Sequence, residues 1–119
     1  MTEARLEIGR IGESAALAHY VERGYLQVAR NWRCRLGELD LVVSRGDLLV
    51  FCEVKCRRSS GFGGPFEAVG WAKQRKLRAL AEAFLGTGKG SPGAVRFDVA
   101  SVTVAPGGRT SVHVFEDAF

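Results

Sequence analysis

Three charged residues stand inside apolar, strand-like segments: Asp40 in GELDLVV, and Glu53 and Lys55 in FCEVK. Two carboxylates brought together on a half-buried surface repel each other and lose hydration, at a cost of several kcal/mol unless something compensates. A divalent cation compensates. Mg²⁺ suits such a pair because it takes one or two carboxylates and fills its remaining positions with water and phosphate oxygens. Lys55, one strand period beyond Glu53, points at the same place, where an ammonium orients or deprotonates a water or stabilises charge on a phosphate. The chemistry implied is that of a cation-bound water beside a phosphate. The alternative is an ordinary salt-bridge group on a solvated sheet face.

The elements that must position these residues are legible in the pattern. Residues 37–44 and 48–55 read as strands joined across Arg45, Gly46 and Asp47. An even-numbered residue on the first then faces an odd-numbered one on the second, so Asp40 shares a face with Phe51, Glu53 and Lys55. If Arg45 pairs with Leu48, Asp40 lies opposite Glu53. If the turn shifts, they become diagonal neighbours about 7–8 Å apart, still within span of a bridging cation. A strand over 25–31 precedes this hairpin.

Residues 4–23 read as a helix, with Ile8, Ile11, Ala15 and Ala18 at helical spacing, a second face carrying Glu13, Leu17 and Tyr20, and Gly24 as the stop. Gly9 and Gly12 weaken this helix by up to ~1 kcal/mol each, which points to close approach of a strand or ligand to its backbone. Glu13 is a candidate third carboxylate. A glycine-rich loop over 59–65 leads into a second helix over 66–85, with Lys73, Leu77, Leu80 and Phe84 in one stripe and Arg75, Arg78 and Glu82 on another face. Lys73 is placed to reach the edge of the acidic site. Strands over 94–105 and 110–116 flank a turn at Pro106, Gly107 and Gly108. The segment LLVFCEVK is apolar on both faces and belongs in the middle of a sheet covered on both sides. The class is α/β, a central mixed sheet flanked by helices in the order α-β-β-β-α-β-β.

A length of 119 residues sets one domain, 1–119, as the expectation, and its size limits any active site to a shallow cleft. A hydrophobic fraction of 46% beside 25% charged residues argues against wholesale disorder and against collagen-like or disulfide-scaffold classes. The excess of 17 Lys and Arg over 13 Asp and Glu favours an anionic partner. Most of the basic residues cluster, as Arg30, Arg33 and Arg35, as Lys55, Arg57 and Arg58, and as Lys73, Arg75, Lys76 and Arg78. Among these, Arg57, Arg58, Lys73, Arg75, Lys76 and Arg78 are the candidate phosphate contacts. Trp32, Phe62 and Trp71 stand beside basic residues and read either as core or as stacking platforms for unpaired bases. Cys34, Cys52 and Cys56 read as reduced packing residues, because Cys52 and Cys56 on an extended strand lie about 13 Å apart. The N-terminus has no apolar run of signal-peptide length, so a cytoplasmic protein without membrane partners is expected. SSGFGG lacks a P-loop lysine, which argues against a nucleotide site.

The series GRIGESAALAHYVERGY, ARNWRCRLGELDLVV, LLVFCEVKCRR and FEAVGWAKQRKL resembles the YraN-like family of small bacterial proteins, related to Holliday junction resolvases and the PD-(D/E)XK nuclease superfamily. The resemblance spans nearly the whole chain. It implies a restriction-endonuclease-like core that supports Mg²⁺- or Mn²⁺-dependent hydrolysis of DNA. Position by position, Asp40 and Glu53 match the metal ligands, Lys55 the catalytic lysine, and Glu13 the helical acid of the resolvase branch. Glu38, of the same parity as Asp40, falls in a supporting or structural place. Branched or damaged DNA is the implied substrate, and the assembly admits a homodimer. The competing function is a nuclease-fold nucleic-acid-binding module without turnover.

Overall fold

The computed structural model describes residues 3–59, 69–88 and 92–119. The glycine-rich segment over 60–65, with Phe62, and the expected start of the second helix at Phe66 lie outside the described residues. Helix α1 (Glu3–Glu22) is followed by β1 (Leu26–Cys34), β2 (Gly37–Arg45), β3 (Leu48–Arg58), α2 (Trp71–Leu85), β4 (Ala94–Val104) and β5 (Thr110–Phe115). The strands form one sheet in the order β1-β2-β3-β4-β5. Only the β3–β4 pair is parallel; the other three pairs are antiparallel, so the sheet is mixed as expected.

Two cores lie on opposite faces of this sheet. On one, α1 contributes Ala16 and Tyr20 against Leu41, Val43, Val50, Cys52, Ala100 and Val102. On the other, α2 contributes Leu77, Leu80, Ala81 and Phe84 against Val42, Leu49, Phe51, Phe97 and Val99. The period of two along β3 explains the split: Leu49 and Phe51 point one way, Val50 and Cys52 the other. That is why β3 carries an unbroken apolar run and sits centrally.

The buried face of α1 is not the expected isoleucine stripe. Gly12, Ala16 and Tyr20 are buried, whereas Ile8, Ile11 and Ala15 are half-buried and Ala18 is exposed. Close packing selects the small residues: a Cβ on Gly12 would stand 2.6 Å from Cys56 Cβ, so β3 presses directly on this point of the helix. Gly9, by contrast, has open space around it. Helix α2 begins at Trp71 rather than Phe66. Gly70 is extended at φ −64, ψ 160, and its carbonyl accepts the Gln74 amide at 2.9 Å, while Gln74 Nε2 donates to the Val69 carbonyl at 2.7 Å. Strand β3 runs past Lys55 to Arg58 because β4 pairs with it along its whole length, from Leu48↔Ala94 to Arg58↔Val104. The three cysteines are free. Among the described residues, no helix is long and apolar enough to cross a membrane.

Candidate functional site

The β2–β3 hairpin closes with Arg45 opposite Leu48, and its pairing continues to Leu41↔Cys52. The next position would set Asp40 against Glu53, but there β2 departs from regular alternation. Leu41 packs in the α1-side core, and Leu39, two residues away, packs in the α2-side core. An unbroken strand would place both on one face. The reversal falls at Asp40, whose Oδ2 accepts the amide of Val54 at 2.9 Å beyond the last paired position. The carboxyl thereby enters the gap between the two strands, where it lies close enough to the Glu53 carboxyl for the two to disturb each other's ionisation. Of the two registers left open by the sequence, the one with Arg45 opposite Leu48 is realised. The two acids meet, however, through a local break in the sheet rather than across an intact ladder.

Glu13 and Glu38 close in on the same point, and one ligand oxygen each of Glu13, Glu38 and Asp40 lies within 4.8 Å of the others. Glu38, expected in a supporting place, therefore stands at ligand distance alongside Asp40, while Glu53 joins through its contact with Asp40. The outer three acids carry cationic partners. Arg30 Nε lies 3.6 Å from Glu13 Oε1, Arg33 Nε donates to Glu38 Oε2 at 3.0 Å, and Lys73 Nζ lies 3.1 Å from Glu53 Oε2. Asp40 has no cationic partner among the described residues. Burial, and then the hydrogen bond and the charge of Glu53, push its carboxyl up to about 8. At neutral pH the group therefore holds a proton. The donor set consists of oxygens alone, crowded by like charge, and this is the chemistry that a hard divalent cation relieves.

Lys55 is half-buried on the α2 side of β3, with Phe51 and Glu53, and its ammonium has no ion-pair partner among the described residues. The basic residues divide. Arg30 and Arg33, part of a cluster first read for anionic partners, are committed to Glu13 and Glu38. Lys73 reaches the site as expected. Arg58, Arg75 and Lys76 are exposed, Arg57 is half-buried, and the Arg78 guanidinium lies 4.9 Å from the centre of the Phe97 ring. Beside the acids, a cleft of about 530 Å³ is lined by Leu6, Gly9, Arg10, Glu13, Asn31, Arg33 and Glu38. Trp32 is a core residue, edge-on to Phe84 at 5.3 Å.

Two residues at work here escaped the sequence pattern. Asn31 adopts φ 53 in the middle of β1, opposite Asp40, between the pairs Arg30↔Leu41 and Trp32↔Leu39. Its Nδ2 donates to Glu13 Oε1 at 3.0 Å. A left-handed conformation costs a side-chain-bearing residue roughly 1–2 kcal/mol, least for Asn. The available signal was an asparagine within a strand, where it is disfavoured. The second is Asp98, fully buried under the α1 side, whose one sign was an acid inside the apolar run over 94–105.

A five-stranded mixed sheet between two helices, broken at an aspartate that gathers three further acids, defines an α/β protein with a candidate cation site at the sheet's centre. The family described as "Uncharacterised protein family UPF0102" matches residues 12–102. The chain belongs to that family. It is 51% identical over 102 residues to a UPF0102 protein of Streptomyces griseus, covering 85% of this chain and 86% of the relative. It is 43% identical over 114 residues to one of Rhodococcus jostii, covering 96% and 97%. A third, from Dictyoglomus thermophilum, is 39% identical over 103 residues and 87% of each chain.

Proposed function

We propose that the chain is a Mg²⁺- or Mn²⁺-dependent nuclease that hydrolyses phosphodiester bonds in DNA, with branched or damaged DNA as its substrate and the cytoplasm as its place of action. The observation that carries this reading is the convergence at the break in β2 of ligand oxygens from Glu13, Glu38 and Asp40 within 4.8 Å of one another, with no cationic side chain on Asp40 among the described residues. Asp40, Glu53 and Glu13 would hold the cation. When bound, the cation supplies Lewis-acid stabilisation of phosphate charge and a more acidic water. Lys55 presents an ammonium from the same strand and face as Glu53, suited to orient a water or to offset negative charge on the reacting phosphate. Lys73 neutralises Glu53 until a cation does so. Arg57, Arg58, Lys73, Arg75, Lys76 and Arg78 would hold the backbone phosphates, so binding should weaken linearly in log salt, with a slope contribution of about 0.9 per contact on duplex.

The test is cleavage of linear, nicked, flapped and four-way DNA in Mg²⁺, Mn²⁺ and EDTA. Asp40→Asn keeps the side chain's shape and removes the carboxyl that would give up its proton to take a cation. It should lower cleavage by about a thousandfold or more while leaving DNA binding intact or slightly tighter. A wild type that binds branched DNA and cuts none of these substrates would replace this reading with the nucleic-acid-binding module.

A further inference from the structure

The chain has two tryptophans, and its core uses one of them. Trp32 meets Phe84, whereas Trp71, the first residue of α2, is 71% exposed and makes no ring or cation contact among the described residues. Trp71, Arg75 and Arg78 recur at steps of four and three, so they share one exposed stripe of the helix. Lys73 leaves the same turn on its other flank, and its contact with Glu53 fixes the start of α2 beside the acidic site. The helix carries Lys73, Arg75, Lys76 and Arg78 against the lone acid Glu82. Further along the stripe, Arg78 is already seated over Phe97 and Phe119, at 4.9 and 5.9 Å, which leaves Trp71 as the open ring.

We propose that Trp71 is a stacking platform for an unpaired base of a nucleic-acid strand whose phosphates run along the basic residues of α2. The inference rests on the nucleic-acid reading of the neighbouring site and narrows its substrate to strands with unpaired nucleotides. A flat apolar ring ringed by positive charge suits a polyanion that carries aromatic faces, and those faces are available only where bases are unpaired. A neutral apolar partner has no use for the four cations. A duplex satisfies the cations and leaves the indole bare.

The experiment uses the full chain in EDTA, so that no cleavage competes, with oligo(dT), a blunt duplex and inorganic polyphosphate as probes. Oligo(dT) should quench the wild-type indole emission saturably, polyphosphate should not, and the quenched component should be absent from Trp71→Phe. By anisotropy of labelled oligo(dT), Trp71→Ala should weaken binding about tenfold, the size of one base–aromatic stack, and several times more than it weakens duplex binding. Trp71→Phe, which keeps a ring, should stay within about threefold of wild type. Equal quenching by polyphosphate, or wild-type oligo(dT) affinity in Trp71→Ala, would overturn the inference. Metal-dependent cleavage by a wild type whose Trp71 is never quenched overturns this inference and leaves the nuclease reading standing. Quenching by oligo(dT) without any cleavage supports the stack and overturns the nuclease reading.

Discussion

Asp98 on β4 and Asp40 on β2 are both withdrawn from water, and their surroundings are opposites. Asp98 is 0% exposed, and donors converge on both its oxygens: the Tyr20 hydroxyl at 2.7 Å, Arg96 Nε and Nη2 at 2.8 and 2.9 Å, and the Asp117 amide at 3.0 Å. A bidentate guanidinium with two further donors balances a buried carboxylate and ties α1, β4 and the C-terminal segment together. Asp40 receives one backbone amide and otherwise faces acids. A buried acid with a closed set of donors is a structural clamp. One surrounded by its own kind has stability withheld from it, and such withheld stability is characteristic of functional sites.

The sharpest way to break this comparison is to delete both. Asp98→Ala should cost about 3–5 kcal/mol in chemical denaturation, because it strands the Tyr20 hydroxyl in the interior and leaves the largely buried Arg96 with only the exposed Glu116 and the Tyr25 hydroxyl. Asp40→Asn should instead raise metal-free stability at pH 8 by about 1 kcal/mol, since an amide still accepts the Val54 N–H and donates to Glu53. Similar costs at the two positions would erase the distinction.

Lys55→Ala sharpens the functional side. With no ion pair to lose among the described residues, its melting temperature should stay close to wild type, while cleavage falls on the order of a hundredfold. DNA binding should weaken by only about 1 kcal/mol at a wet site. A loss of stability equal to that of a paired lysine would count against the open role.

The pH dependence of metal-free stability follows from Asp40. Its ordinary value is 3.8, and in the folded chain it is pushed up to about 8. Between these values the folded state holds a proton that the unfolded chain has released. The contribution is therefore complete below about pH 4, declines by at most ~1.4 kcal/mol per pH unit through the window, and is gone above about pH 8. Melting curves of wild type should show this decline, and Asp40→Asn should lack it. A slope identical in the two proteins would assign the titration elsewhere.

The smallest expected effect separates backbone from side chain at Asn31. Asn31→Gly keeps φ 53 at no steric cost and removes the amide from Glu13. Stability should change by less than about 1 kcal/mol, because relief of the left-handed strain is offset by a more flexible unfolded chain and the lost hydrogen bond, while Mn²⁺ affinity, read by relaxation, falls a few-fold. Unchanged Mn²⁺ binding would reduce Asn31 to a bend in β1.

Element types, the central place of β3 and the nearness of Asp40 to Glu53 were legible in the residues, because hydrophobic period and turn chemistry act over a few positions, whereas the choice of the Arg45–Leu48 closure over a shifted turn was left to the fold. Glu13 and Lys73 could be brought to the site from helical spacing for the same reason. The reversal at Asp40 was not legible. It depends on Leu39 and Trp32 finding room against α2 while Leu41 stays under α1, a packing outcome that no strand pattern contains. Nor was the commitment of Arg30 and Arg33 to Glu13 and Glu38, since in sequence an arginine near anionic DNA and one near an acid of its own chain look alike. The face of α1 was decided by how closely Cys56 approaches Gly12, which favours small residues over isoleucines. The role of Asp98 was hidden because Arg96 is its one donor close in sequence, while Tyr20 lies 78 positions away, and a buried acid is recognised by the donors that folding brings to it.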